Sequence, residues 1–161
     1  MRCNKGEVFN GTLTFCLVVA TVVFILVSIP SKAHADEADE LYKVCISLRS
    51  KDSDGDYRRA LNSCSRLIER YSGDLRRRKL GHVYYNRGDT KSHFKQYASA
   101  VSDYRRAIEL GYPGGYNGLG KAYWKGKGVP EDERRAKELF KKGCDMEDIG
   151  SCFALEVLKI K

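Results

Sequence analysis

Tyr97, Ala100, Val101, Tyr104, Ala107 and Ile108 recur at steps of three and four, with the polar Asp103, Arg105, Arg106 and Glu109 between them. This is the apolar stripe of an amphipathic helix. Similar windows begin at Asp56 and Pro130, while the one just described begins at Gln96. An Asp caps a helix start well, and Pro suits the first turn. The three windows run out near Gly73, Gly111 and Gly143, where glycine favours a stop. A further helical stretch precedes each window, at roughly 37–50, 78–94 and 113–125, and a last one covers 149–160. The pattern predicts about seven helices with little or no strand.

The windows are also copies of one another. "YRRALNSCSRL" (57–67), "YASAVSDYRRA" (97–107) and "ERRAKELFKKG" (133–143) align on Ala60, Ala100 and Ala136. Four residues on stand Cys64, Tyr104 and Phe140. Offsets of 40 and 36 residues have the period of a helix-hairpin repeat. Three hairpins (about 37–71, 78–110 and 113–144) and the terminal helix 149–160 are expected.

Tyr116, Leu119, Gly120, Tyr123, Ala136 and Phe140 fill the tetratricopeptide pattern, with Tyr at its first aromatic place. The loop "GKGVPED", 126–132, is longer than that repeat uses, and with Gly126, Gly128, Val129 and Asp132 the segment resembles a Sel-one-like repeat. Residues 78–110 resemble an ordinary tetratricopeptide through Tyr84, Gly88, Ala100, Tyr104 and Ala107. They depart from it at Arg87 and Lys91, where Leu and Tyr are usual. Residues 37–71 keep only Tyr57, Ala60 and the helical rhythm. The resemblance implies an all-α, short α-solenoid of antiparallel hairpins. Gly120 and Ala136 then allow close helix approach, and Gly126 and Gly128 take backbone angles closed to other residues. The same string is not a phosphate loop, since no Gly-x-x-x-x-Gly-Lys-[Ser/Thr] occurs. The resemblance further implies a concave groove lined by the first helix of each hairpin. Its positions carry over to His82, Tyr85, Asp89, Asn117, Lys121 and Trp124, with Trp124 equally placed to be inter-repeat core.

The first 35 residues differ from the rest. Arg2 and Lys5 precede an uncharged run from Thr12 to Ile29, then Pro30 and Ala33-His34-Ala35. These are the parts of a signal peptide cleaved before Asp36. The rival is an uncleaved anchor formed by residues 12–29, whose length approaches a membrane span. Cleavage would lower the formal charge from +8 to +6. An exported chain of moderate positive charge makes nucleic acid a poor partner and points to a protein or peptide in the envelope or outside. No membrane span is expected in the mature chain.

Cys45, Cys64, Cys144 and Cys152 remain after cleavage, an even number that suggests two disulfides in an exported protein. Residues equidistant from a hairpin turn face each other. Cys45 and Cys64 are symmetric about the Asp54–Gly55 bond, and Cys144 and Cys152 about Asp148. Each pair can therefore be bridged, with four buried free thiols as the alternative. The second pair also resembles the Cys-(seven residues)-Cys element of bacterial cysteine-rich Sel-one-like proteins. Zinc would need C-x-x-C pairs or suitably spaced histidines, which are lacking.

Other chemistry fails on spacing. "DSDGD", 52–56, does not fit a calcium loop in either register. Ser92-His93-Phe94-Lys95 matches the Ser-x-x-Lys of penicillin-recognising hydrolases. Ten serines in residues 36–161 make one such match expected by chance, and neither Lys-Thr-Gly nor Ser-Asp-Asn accompanies it. The sequence reads as a non-enzymatic repeat scaffold for protein–protein contact, without cofactor or metal. An envelope hydrolase of the penicillin-binding or β-lactamase kind is the alternative.

Overall fold

The computed structural model describes residues 32–47 and 53–159. Residues 1–31, with the apolar run 12–29, lie outside the described residues, as do residues 48–52 of the first turn. The described residues form seven helices and no strand: α1 (Lys32–Ile46), α2 (Asp54–Tyr71), α3 (Arg77–His93), α4 (Tyr97–Glu109), α5 (Gly114–Trp124), α6 (Glu133–Asp145) and α7 (Ile149–Lys159). The described residues from Ala38 onward make one compact unit. From α2 onward each helix packs on the next, and α3 also touches α5, as α5 touches α7. Contacts reaching only to near neighbours in the chain are the mark of a solenoid.

Helix starts follow local chemistry. The Ser53 hydroxyl oxygen accepts from the Asp56 amide at the head of α2, and Asp132 Oδ1 accepts from the Arg135 amide, 2.9 Å, at the head of α6. Each satisfies an amide that the first turn leaves without a partner. Thus α6 begins at Glu133, after the Pro130 turn.

Helix ends share one device. Lys95, Gly111, Gly126 and Glu147 all have positive φ, between 60° and 79°. The next amide in each case returns to the carbonyl five residues back: Gln96 to Lys91, Tyr112 to Ala107, Lys127 to Ala122, Asp148 to Gly143. This closes α3, α4, α5 and α6 with the same left-handed cap. Two of the four caps carry glycine. The stop expected at Gly143 falls instead at Glu147. Gly143 lies inside α6, where a Cβ would collide with the Ser151 side chain of α7.

Two apolar clusters hold the unit. One gathers Leu41, Cys45, Cys64, Leu67, Tyr71 and Val83 around the Cys45–Cys64 disulfide. The other gathers Ala100, Tyr104, Leu119, Tyr123, Ala136 and Phe140, with Trp124 packed against it. Tyr104 fits because Gly88 and Gly118 have no side chain: a Cβ there would stand 2.7 and 2.5 Å from its ring. The long loop is held by Gly128, at φ +79°, where a Cβ would meet the Tyr97 carbonyl carbon at 2.5 Å. The second disulfide, Cys144–Cys152, ties α6 to α7 with the Cα atoms 4.6 Å apart, against 5.0 Å in the first. Both pairings are those expected from the hairpin symmetry.

Asp103 departs from the sequence pattern. It is only 4% exposed, although it sits among polar positions of α4. Arg87 and Lys91 of α3 reach it, with Lys91 Nζ 2.8 Å from Oδ2. The two positions where the repeat pattern breaks are thus the two cations of a buried ionic cluster.

Candidate functional site

The stripe His82, Tyr85, Asn86, Asp89, Ser92 and His93 steps by three and four along α3 and lines a cleft. Its larger part is a cavity of about 680 Å³. Tyr57 of α2, Ile46 of α1 and Tyr112 from the α4–α5 turn complete the wall. The rings are held in place by one another. Tyr57 stacks on His93 with centroids 3.7 Å apart, and Tyr112 stacks on His82 at 4.8 Å. His93 Nε2 lies 2.9 Å from Asp54 Oδ1, joining the end of α3 to the start of α2. The Tyr42 hydroxyl lies 2.9 Å from His82 Nδ1.

A second cavity, about 140 Å³, adjoins the first through Asp89 and Ser92, which line both. Lys121 of α5, with Lys125 and Lys127 of the following loop, borders it. Lys127 Nζ stands 5.0 Å over the Tyr97 ring, and Lys125 Nζ 5.8 Å over Trp124. Neither lysine forms an ion pair among the described residues.

Asp89 is the hub. It is solvent-exposed, yet the cleft walls crowd it. That crowding raises its carboxyl above the usual value, opposed by hydrogen bonds from Tyr104 and Tyr85 and by the charge of Lys121. The Tyr104 hydroxyl donates to Oδ1 at 2.9 Å. Burial and the neighbouring carboxylate push both tyrosines well above the ordinary phenol range, so they remain neutral donors.

Four of the six positions taken from the repeat pattern line the cleft: His82, Tyr85, Asp89 and Lys121. Asn117 does not. It is 3% exposed, and Gly150 of α7 packs on it so closely that a Cβ there would lie 3.1 Å from its Nδ2. Trp124 is half-buried against the second core cluster and lines neither cavity. Asn86, Ser92 and His93 continue the helical stripe and were legible from its period. Tyr112 and Lys127 come from turns, where no period points to them.

Ser92 lines both cavities, but Lys95 lines neither. Lys95 falls past the end of α3 with φ 60°, its amide closing a turn on the Ser92 carbonyl at 3.0 Å. Among the described residues no group of His, Cys, Asp and Glu side chains is placed to hold a metal, and no helix is long and apolar enough to cross a membrane.

No protein-family model matches the sequence, and no curated protein matches it. Among solved structures the chain is similar to Helicobacter pylori cysteine rich protein B (hcpB), with a TM-score of 0.52. The two are 23% identical, over 78% of this chain and 94% of that one. At this identity the likeness shows the fold alone: a helical repeat solenoid.

Proposed function

We propose that this chain is an exported, non-enzymatic scaffold that binds a segment of another protein in the cleft along α3. One observation carries the reading: a single helix face, from His82 to His93, turns aromatic and hydrogen-bonding side chains into a cavity of about 680 Å³. Aromatic anchors that are already fixed bind at low entropic cost. The Tyr57–His93 and His82–Tyr112 stacks supply such anchors. The solenoid fold supports a role as an interaction scaffold.

Export is the second half of the proposal. Two disulfides suit an oxidising compartment. Residues 1–35 have the parts of a signal peptide cleaved before Asp36, a cut that would remove the first four residues of α1, Lys32 to Ala35. Mass spectrometry of the protein recovered from the envelope checks the cut: an intact Met1 form in the membrane fraction would mean an anchor.

Binding is tested by cross-linking in envelope extract, comparing the wild type with Ser92→Trp, which fills the junction of the two cavities. A partner captured by the wild type and lost by the variant, at unchanged helicity, supports the cleft. A partner retained by both removes it.

A further inference from the structure

We infer that the cleft reads a two-part signal: an extended protein segment carrying an acidic side chain beside an aromatic one. This rests on the cleft being the binding site and adds the chemistry of what enters it. The two cavities adjoin but differ. The smaller is bordered by Lys121, Lys125 and Lys127 against one carboxylate, Asp89. Asp89 lies within electrostatic reach of Lys121 without forming an ion pair with it. Lys125 and Lys127 are exposed and stand over the Trp124 and Tyr97 rings, so their charges are positioned without being neutralised. A cavity of about 140 Å³ with that surplus suits a carboxylate side chain.

The larger cavity is walled by Tyr57, His82, Tyr85, His93 and Tyr112. Rings paired in stacks leave edges to a newcomer, and an aromatic side chain packs well edge-to-face against them. Asn86 and Ser92 also line it; Asn86 Nδ2 donates to the His82 carbonyl, which leaves Oδ1, with the Ser92 hydroxyl oxygen, to accept from main-chain amides of an extended segment. Because Asp89 and Ser92 belong to both cavities, one short segment spans them. The acidic residue lies toward α5 and the aromatic residue toward α2.

The experiment is selection of a random peptide library on the full chain, followed by affinity measurement on synthetic copies of the selected peptides. The expected result is enrichment of Asp or Glu beside Tyr, Phe or Trp. The double variant Lys125→Glu/Lys127→Glu, changed only at exposed positions, should then weaken binding about tenfold, and added salt should weaken the wild type. Ser92→Trp and His93→Ala should each weaken it too. Peptides blocked by Ser92→Trp, yet free of acidic bias and indifferent to the lysine reversal, would overturn the two-part signal while leaving the cleft as the site. Peptides indifferent to both Ser92→Trp and His93→Ala would remove the cleft itself, and failure to select any peptide would sink both.

Discussion

Arg87 grips Asp103 through two parallel hydrogen bonds, Nε to Oδ2 at 2.9 Å and Nη2 to Oδ1 at 2.7 Å, between α3 and α4. Lys91 adds a third bond to the same carboxylate. The carboxylate is 5% exposed, and the two cations 17% and 18%. Taking either sign away leaves the other uncompensated, which costs more than the cluster contributes when intact.

Asp103→Leu should therefore destabilise the fold by about 3 kcal/mol, measured by urea denaturation. Restoring the repeat pattern at the same time, with Arg87→Leu and Lys91→Tyr, should recover most of that loss. A triple variant no more stable than the single one would show that the cluster does more than offset its own burial.

Lys95 and Glu147 hold left-handed caps that glycine holds at Gly111 and Gly126. A side chain in that conformation costs roughly 1–2 kcal/mol, partly offset by the greater freedom of glycine in the unfolded chain. Lys95→Gly and Glu147→Gly should each stabilise by about 0.5–1 kcal/mol. Thermal melting decides, and a lowered midpoint in both would mean that their side chains do something the cap does not need.

Cys45–Cys64 and Cys144–Cys152 bridge residues 19 and 8 apart in sequence. Loops that short limit each bond to about 3 kcal/mol on the chain-entropy account. Reduction should lower the melting temperature yet leave helicity, because Phe140 and Tyr104 stay packed. Non-reducing peptide mapping should find these two links alone; a bridge from Cys45 or Cys64 to Cys144 or Cys152 would contradict the solenoid.

Asp89 has a folded-state pKa above its ordinary 3.8. The folded chain then binds this proton more tightly than the unfolded chain, so ionising Asp89 costs stability as pH rises from 3.8 through the raised value. Asp89→Asn removes the charge and keeps an oxygen for the Tyr104 and Tyr85 hydroxyls. The variant should melt higher than the wild type at neutral pH, the gap closing below pH 3.8. A lower midpoint at neutral pH would show that attraction to Lys121 outweighs the crowding.

The sequence by itself determined the helices and their hairpin pairing, and it allowed both disulfides with free thiols as the alternative. Each depends on residues close in the chain: the three-and-four step through Tyr97–Ile108, and the mirror placement of cysteines about a turn. The repeat resemblance, rather than the residues alone, pointed to His82, Tyr85, Asp89 and Lys121, which line the cleft. Tertiary structure decided what the period could not express. Asp103 counts as polar in any helical pattern, and only the approach of α3 buries it and supplies its partners. Asn117 occupies a groove position by pattern, but α7 folds over it. Tyr112 and Lys127 reach the cleft from turns, and Lys95 and Glu147 end helices without glycine. Periodicity records which face of one helix is apolar. Which neighbour covers that face depends on packing between elements two apart, as in α3 with α5 and α5 with α7.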